Sequence, residues 1–393
     1  MTIQLSDRVQ QVQPSPTLAV TALAASLRAQ GRDIIGLGAG EPDFDTPAHI
    51  KAAASEAMEA GHTQYTAVDG TPELKQAIID KFRRDNGLSY IGDQILVSCG
   101  GKQSFFNLAQ ALLDPGDEAI IPAPYWVSYP DMVKLAGAEP VIVAAGSEQR
   151  FKITPQQLRA AITERTQLVV LNSPSNPTGI AYSADELAAL GAVLAEHPGI
   201  VVATDDMYEH ILWADEPFTN IVNACPELEG RTVVMNGVSK AYAMTGWRIG
   251  YCAGPAELIG AMKKIQSQST SNPTSISQWA ATEALNGDQA CVAEMATQFR
   301  ERHDYVVDAL NDLAGVECLP GDGTFYAFPH VEAAIRAYAA ETDVDFCSRL
   351  LDDTGVALVP GSAFGAPGYM RLSFATGMDN LRNALVRLKK ALG

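Results

Sequence analysis

The sequence lacks the features that mark several large classes of protein. Its 28 Lys and Arg residues are outnumbered by 46 Asp and Glu residues, which gives a formal net charge of −18. A surface so short of positive charge repels nucleic acid and anionic lipid, so we expect neither as a partner. No apolar run is long enough to span a bilayer, and the N-terminal residues lack the basic segment and apolar core of a signal peptide. We therefore expect a cytoplasmic protein.

Cysteines are few, and they are scattered over positions 99, 225, 252, 291, 318 and 347. No CxxC pair occurs and no Cys/His group has metal-ligand spacing, so we expect reduced thiols and no metal site. Repeats, low-complexity tracts and flexible linkers are also missing. The 393 residues exceed the roughly 250–300 at which single cores stop growing, so two domains are expected.

The pattern that is present alternates short β-rich runs with helical segments from about residue 94. The runs are apolar throughout, which is typical of strands buried on both faces of a mainly parallel sheet. They are Ile95–Ser98, Glu118–Ile121, Val141–Val143, Leu168–Leu171, Ile200–Ala203, Thr232–Met235 and Ile249–Cys252. After about residue 313, short strands mix with helices. The sequence therefore predicts an α/β protein with a large, mainly parallel domain and a smaller α+β domain.

One lysine has unusual surroundings. Lys240 lies just beyond the run Thr232–Met235, among small residues. A lysine held in such a place can lose its proton and form a Schiff base with an aldehyde. The hydroxyl of Ser239, the open backbone of Gly237 and the planar cation of Arg248 suit a phosphate. An aldehyde that carries a phosphate describes pyridoxal 5′-phosphate, so this segment predicts a cofactor.

Other candidate ligands follow other strands, where ligands of open α/β sheets bind. Gly100, Gly101 and Lys102 open a helix, whose N-terminus attracts phosphate, although a simple tight turn is the alternative. Asn176 lies in a turn stiffened by prolines and is held in one orientation, as it also is in an ordinary Asx turn. Trp126 has the shape to stack on a flat ring, but such a residue also packs in cores.

Two charged residues at strand positions need partners. Asp205 ends a strongly apolar run, where a carboxylate is costly without a cation; a pyridinium N–H is such a cation. Tyr208, three residues later, can donate to the phenolate oxygen of the same ring. A solvated acidic loop is the alternative. Arg371 lies inside the short apolar strand 370–374, and a substrate carboxylate or an internal salt bridge would satisfy it.

These segments, in this order, resemble the class I aminotransferases, pyridoxal-phosphate enzymes of fold type I. The stretch 237–250 fits the lysine signature of the family, and Ser-Pro-Ser-Asn-Pro-Thr-Gly at 173–179 fits a second motif. The closest likeness is to the bacterial aspartate aminotransferase branch. The resemblance runs from Gly40 to Arg371. The expected division is an N-terminal arm at 1–45 that joins the small domain, a large cofactor-binding domain at 46–285 and a small domain at 286–393.

The resemblance implies roles for the catalytic and ring-binding residues. Lys240 binds the cofactor aldehyde and then moves the substrate proton, and Asp205 pairs with the pyridine nitrogen. Tyr208 and Asn176 hold the ring oxygen, and Trp126 stacks on the ring.

The resemblance also implies phosphate-binding and substrate-binding residues and an assembly. The residues expected around the phosphate are Gly100, Gly101, Lys102, Ser239 and Arg248, with Gly237 close by. Arg371 binds the substrate α-carboxylate, and the Gly40 backbone, Trp126 and Asn176 lie against the substrate. Tyr65 is expected to reach the phosphate of a partner subunit, which implies a homodimer with active sites at the subunit interface.

The sequence departs from one pattern of the family. Many relatives specific for dicarboxylates bind the distal carboxylate with an arginine of the partner chain, but the region Lys264–Trp279 contains no arginine. Lys102 can substitute for it, with hydrogen bonds from Ser15 and Thr17, or it can serve only as a phosphate counter-ion. Aspartate is therefore the leading donor, and an aromatic or broad range of donors stays open.

The predicted reaction is a ping-pong transfer of the amino group from an L-amino acid to 2-oxoglutarate. Two rivals are considered. A pyridoxal-phosphate lyase that cleaves a Cβ–S bond shares the lysine site but needs no oxo-acid acceptor. A non-catalytic sensor with this fold usually carries a fused DNA-binding segment, and residues 1–35 are too short and not basic enough for one.

Overall fold

The architecture was established from a computed structural model, which describes residues 3–393. Met1 and Thr2, the start of the predicted N-terminal arm, lie outside the described residues. In chain order, the strands are β1 (Ile35–Gly36), β2 (Ile95–Ser98), β3 (Glu118–Ala123), β4 (Glu139–Ala144), β5 (Thr166–Asn172), β6 (Val201–Asp205), β7 (Thr232–Gly237), β8 (Gly250–Ala253), β9 (Tyr326–Ala327), β10 (Val356–Ala357), β11 (Val359–Pro360) and β12 (Met370–Ser373).

Helices lie between most of these strands and at both ends of the described chain. In chain order, they are α1 (Asp7–Gln10), α2 (Pro16–Ala29), α3 (Ala48–Glu59), α4 (Pro72–Lys81), α5 (Gly101–Leu112), α6 (Ser128–Leu135), α7 (Pro155–Ala161), α8 (Ala184–Ala195), α9 (Ile221–Ala224), α10 (Ala256–Ser269), α11 (Ser275–Asn286), α12 (Ala290–Asn311), α13 (Glu332–Ala337), α14 (Asp343–Thr354) and α15 (Met378–Leu392).

A seven-stranded sheet has the order β2-β8-β7-β6-β5-β3-β4. The pairs from β7 to β4 are parallel, and β8 runs antiparallel to both of its neighbours. The predicted α/β class with a mainly parallel sheet is therefore confirmed. Because β5, β6 and β7 are parallel neighbours, the polar residues that follow them meet at one edge of the sheet.

Burial differs between the strands of the large sheet. All residues of β2, β7 and β8 are buried, as their unbroken apolar runs predict. The prediction of burial on both faces is wrong for β4, where Ile142 is 41% exposed. β4 lies at one edge of the sheet, so one side of it has no neighbouring strand to exclude water. β2, at the other edge, stays buried because α4, α5 and α10 pack against it.

Local signals set several helix starts. The hydroxyl of Thr71 accepts from the Leu74 N–H ahead of Pro72, and Ser183 and Glu186 form a capping box that starts α8. The helical stretch 72–86 is only partly α-helical, because α4 ends at Lys81 and a π-helix follows at Phe82–Asn86. There Asn86 Oδ1 lies 2.8 Å from Nζ of the fully buried Lys81. A polar contact inside the core thus accompanies the widened turn.

The apolar core has separate parts. Two clusters cover the two faces of the large sheet. A third gathers mostly residues from α12 onwards, together with Ile35, Leu37, Tyr208, Ile211 and Ala243. β1 pairs with β10, which ties the N-terminal segment to the C-terminal part. These contacts support the division at residues 45 and 285, which stays a prediction. Across residues 3–393, no helix is long and apolar enough to cross a membrane.

Candidate active site

A cavity of about 350 Å³ opens where β5, β6 and β7 end. Its walls also include the start of α5, the start of α2 and β12. Most of the predicted site residues line it: Thr17, Gly40, Gly101, Lys102, Trp126, Asn176, Asp205, Tyr208, Ser239, Lys240, Arg248 and Arg371. Residues up to 354 positions apart in sequence are thereby brought into one site, and their individual roles stay predictions.

Four predicted residues do not line this cavity. Gly100 and Gly237 are buried just behind the wall, and Ser15 contacts the wall residue Thr17 through their hydroxyls, 3.0 Å apart. Tyr65 is 92% exposed on the outside of the chain. It therefore takes no part in the site of its own chain, in keeping with the prediction that it serves a partner subunit.

Lys240 follows β7 and points into the cavity. Its Nζ donates to the carbonyl oxygen of Gly40 at 2.5 Å, and an acidic side chain is not among its hydrogen-bond partners in residues 3–393. Burial lowers the pKa of Lys240 to about 8; Glu41 opposes this shift, and the nearby cations Arg371 and Arg248 add to it. Close to neutral pH, a useful fraction of this amine is therefore uncharged and nucleophilic.

Asp205 ends β6 and lines the same cavity as Lys240, Arg248 and Arg371. Its Oδ2 accepts from the Tyr129 hydroxyl at 2.5 Å, and its Oδ1 accepts from the Met207 N–H at 3.2 Å. Burial raises the pKa of Asp205 above its ordinary value, and the Tyr129 hydroxyl opposes that rise. Within the described chain this carboxylate forms no ion pair at all. A bound cation that faces it, such as a protonated ring nitrogen, would relieve the cost of burying it.

The opposite end of the cavity suits an anion. α5 begins at Gly101, so its free N–H groups and its positive end face the cavity. Gly100 has a φ of 91°, and a Cβ at this position would run into the Arg248 guanidinium. That guanidinium donates to the carbonyls of Cys99 (3.2 Å) and Thr245 (2.8 Å). It has no acidic partner in residues 3–393, so its charge is available for a phosphate.

Arg371 is 2% exposed and lies in β12. Its guanidinium donates to Asn176 Oδ1 at 2.9 Å and to the Gly38 carbonyl at 2.7 Å, and its Nε has no partner. The alternative of an internal salt bridge is not observed in the described part of the chain. A buried guanidinium with an unused donor at a cavity wall is a site for a carboxylate.

Some residues that build the site were not selected from the sequence. Asn172 ends β5, donates to the Asp205 carbonyl at 2.9 Å and accepts from the Asn176 N–H at 2.9 Å, so it joins two loops. Tyr129 supports Asp205, and Tyr326 lines the cavity from β9. Asn172 and Tyr129 stand in segments that the sequence marked as strand ends, which was the available signal. Nothing in the sequence distinguished Tyr326 from a core tyrosine.

The arrangement fits a compound that carries an aldehyde, a basic ring nitrogen and a phosphate. The amine of Lys240, the carboxylate of Asp205 and the anion-binding end at Gly101 and Arg248 lie around one cavity. Each is a group that the corresponding part of such a compound requires.

Comparison with known proteins gives the class. Residues 32–388 match the family model described as aminotransferase class I and II, and the chain belongs to that family. An aspartate/prephenate aminotransferase of Nitrosomonas europaea is 61% identical, over 99% of this chain and 100% of the relative. An aspartate aminotransferase of Geobacillus stearothermophilus is 49% identical, over 99% of this chain and 98% of the relative.

Solved structures agree. The aspartate aminotransferase from Rhizobium meliloti matches with a TM-score of 0.95 and 48% identity, over 100% of this chain and 99% of that chain. The aspartate aminotransferase from Thermus thermophilus with maleate matches with a TM-score of 0.94 and 44% identity, over 100% of both chains. The predicted family and fold type I architecture are thereby confirmed.

Proposed function

We propose that the protein is an aspartate aminotransferase that uses pyridoxal 5′-phosphate and passes the amino group to 2-oxoglutarate. The observation that carries this proposal is the Lys240 amine, with a pKa lowered by burial to about 8, facing the same cavity as Asp205, Arg248 and Arg371. Family membership supports the aminotransferase activity. The printed names of the relatives support aspartate as a substrate.

Lys240, Asp205 and the residues at the start of α5 would hold the cofactor. When bound, it supplies an aldehyde that condenses with amines and a ring that takes up the electron pair left on the substrate Cα. Asp205 keeps a proton on the ring nitrogen, because an ion pair there removes the cost of its own burial. Arg248, Ser239 and the N–H groups at Gly101 bind the phosphate.

The chain's residues then orient the amino acid and move its proton. Arg371, whose guanidinium has no acidic partner in residues 3–393 and which lines the cavity, binds the α-carboxylate and fixes the position of Cα. Nζ of Lys240 takes the proton from Cα, since an amine with a pKa near 8 is poised to accept and release protons. Trp126 and the Gly40 backbone close the cavity around the substrate.

Recognition of the aspartate side chain is assigned to Lys102 and Thr17, with Ser15 supporting Thr17. Nζ of Lys102 lies 5.1 Å from the centre of the Trp126 ring, at the cavity wall. No acidic residue is paired with it in residues 3–393, so it is free to meet a distal carboxylate.

A second acceptor is supported by the names of relatives. Proteins of Nitrosomonas europaea (61% identical) and Cereibacter sphaeroides (56% identical) are both named aspartate/prephenate aminotransferase. We propose prephenate, a carbocyclic oxo acid with two carboxylates, as a further substrate. Leu18 and Trp126 add apolar surface to the cavity wall that a carbocycle can contact.

Two further proposals concern assembly and location. A homodimer is supported by Tyr65 at 92% exposure and by exposed apolar side chains of the N-terminal segment, Leu5, Leu18 and Leu23. Mixing inactive Lys240→Ala with Tyr65→Ala subunits tests it, since a shared site predicts that activity returns on mixing. No recovery from mixed dimers would remove the role of Tyr65. The six free cysteines support a cytoplasmic location.

The activity test compares wild type with Lys240→Ala. Wild type loaded with pyridoxal phosphate should show the absorbance of a bound imine. It should convert more than one equivalent of aspartate per site only when 2-oxoglutarate is present. Lys240→Ala should lose that absorbance and on the order of 10⁴-fold in rate, as expected for removal of a proton-transfer group. Lys389→Ala, an exposed lysine in α15, is the matched control. Release of pyruvate and ammonia from an S-substituted cysteine, without any oxo-acid acceptor, would instead indicate the Cβ–S lyase. An aromatic donor preferred over aspartate would indicate the broad-range alternative.

A further inference from the structure

Tyr326 occupies a position that the proposed mechanism has not used. It lies in β9, which pairs antiparallel with β12, and it is 1% exposed. Its hydroxyl oxygen lies 3.0 Å from that of Tyr208, in the loop after β6. The Arg371 guanidinium lies 4.4 Å from the centre of its ring. One side chain thus contacts both a predicted cofactor ligand and the predicted carboxylate ligand.

The direction of the hydrogen bond follows from proton count. A tyrosine hydroxyl has one proton to donate and lone pairs to accept with. If Tyr208 donates its proton to the ring oxygen of the cofactor, its bond with Tyr326 can only be one that it accepts. Tyr326 is then the donor. A donor behind Tyr208 polarises its O–H and makes it a stronger donor in turn.

The glycine at residue 40 makes room for the Tyr326 hydroxyl. A Cβ at Gly40 would lie 2.8 Å from the Tyr326 hydroxyl oxygen, so the absence of a side chain at residue 40 makes room for it. The Gly40 carbonyl is also the acceptor of the Lys240 amine, at 2.5 Å. Burial raises the pKa of Tyr208 well above its ordinary value; Tyr326 and Asp205 add to this rise, and Arg371 opposes it.

We propose that Tyr326 is a positioning residue: its hydroxyl donates to Tyr208 and strengthens the bond that Tyr208 makes with the cofactor, while its ring holds Arg371 in place for the substrate carboxylate. This inference rests on the proposed aminotransferase function. The hydroxyl of Tyr326 therefore acts on cofactor binding and its ring acts on substrate binding. Two substitutions separate these two effects.

Tyr326→Phe keeps the ring and removes the hydroxyl. Titration of the absorbance of the bound cofactor should then show a midpoint at higher pH, about half a unit or threefold in proton affinity, as expected for a weakened hydrogen bond. KM for aspartate should stay within about twofold of the wild type, since the ring under Arg371 remains. Tyr326→Leu removes the ring as well, and should in addition raise KM about tenfold, a typical loss for one cation–π contact.

A double-mutant cycle tests whether the Tyr326 hydroxyl acts on the cofactor through Tyr208. Once Tyr208→Phe has removed the acceptor, Tyr326→Phe should shift the midpoint no further. Tyr182→Phe is the matched control, because it also removes a partly buried tyrosine hydroxyl bond, to the Ile153 N–H at 3.0 Å, outside the cavity. It should leave the midpoint unchanged. Thermal unfolding of the cofactor-free variants shows whether both substitutions cost similar stability.

The outcomes distinguish a failure of the role inferred for Tyr326 from a failure of the proposed aminotransferase function. An unchanged midpoint in Tyr326→Phe, or equal shifts with and without Tyr208, overturns the positioning role even though the wild type binds the cofactor. If the wild type shows no cofactor absorbance and no transamination, the proposed function fails instead. The Phe variants decide the matter even if Tyr326→Leu does not fold.

Discussion

Buried charges lie on both sides of the loop that follows β6, and the two groups differ in how they are satisfied. Behind the loop, Lys81 pairs with Glu209, whose carboxylate also accepts from Asn86 and Asn236 at 2.6 Å each. On the cavity side, Arg371 and Lys240 are without any acidic partner in the described chain. One cation from each group is almost completely buried: Lys81 is 0% exposed and Arg371 is 2% exposed.

The comparison shows that burial of a charge is not what marks a binding site. A buried ion pair with every hydrogen bond made is a structural unit, which holds the loops carrying Asp205 and Lys240 together through Glu209 and Asn236. A buried cation at a cavity wall without an anionic partner destabilises the ligand-free protein, and a bound anion offsets that cost. Four substitutions can break or sharpen this distinction.

The largest effect on stability is expected behind the loop. Lys81→Met leaves the Glu209 carboxylate buried without its cation, which should lower the free energy of unfolding by about 3–5 kcal/mol. Urea unfolding of the cofactor-free protein measures it. Lys389→Met, at an exposed lysine, should change little, and Lys81→Met/Glu209→Gln should recover part of the loss. A single variant as stable as the wild type would show that this pair is not a structural unit.

On the cavity side, Arg371→Lys should lower kcat/KM for aspartate about 100-fold, because an ammonium cannot reproduce the forked geometry of the guanidinium. The free energy of unfolding should fall less than in Lys81→Met, since the ligand that Arg371 serves is not part of the empty protein. Steady-state kinetics and urea unfolding on the same preparations measure both. The reverse order, with stability lost and kcat/KM kept, would place Arg371 in the structural group.

Asp206 tests the structural side through pH. Burial, and then repulsion by Glu209, raises the pKa of Asp206 from 3.8 to about 8 in the folded protein. The folded state therefore binds this proton more tightly than the unfolded state, so its stabilising effect is full below pH 3.8 and is lost as pH rises towards 8. Asp206→Asn should remove that dependence.

The expected result is that the free energy of unfolding of Asp206→Asn rises relative to that of the wild type between pH 5 and pH 8, by at most about 1.4 kcal/mol per pH unit. An asparagine can keep hydrogen bonds with Thr204 and Asn220, the present partners of the carboxylate. Free energies of unfolding of the variant and the wild type, measured at several pH values, give the difference. Curves that run parallel would mean that Asp206 is already ionised at pH 5.

The same distinction explains what the sequence could and could not predict. The strands and the residues that follow them were predictable, because apolar runs and turn residues are local signals; β2 agrees residue for residue and Asp205 stands where expected. The positions of Lys240 and Arg248 were predicted from the motif at residues 237–250. The partners of the buried charges were not predictable, since Lys81 meets Glu209 across 128 positions of sequence.

Tyr326 and the π-helix illustrate the same limit. A tyrosine in a short strand has the same local pattern whether it packs in a core or supports a second tyrosine 118 positions away. The widened turn at Phe82–Asn86 accompanies a contact of a buried lysine, and helical periodicity does not encode it. Such features depend on which elements the fold brings together.

Lys102 is the cavity cation with the smallest expected effect, and it decides between two roles left open by the sequence. Its amine lies over the Trp126 ring, and burial, helped by Arg248, lowers its pKa. If it binds the distal carboxylate, Lys102→Met should lower kcat/KM for aspartate about tenfold, roughly the contribution of one hydrogen bond to a charged group. The kcat/KM for a donor without a second carboxylate, such as alanine, should stay unchanged. If it is only a phosphate counter-ion, both donors should lose equally and the cofactor should dissociate more readily. Lys264→Met, at an exposed lysine of α10, controls for the loss of charge alone. An unaltered aspartate kcat/KM together with unaltered cofactor affinity would remove Lys102 from the site, because a cation that serves neither anion has no ligand to distinguish it from the rest of the surface.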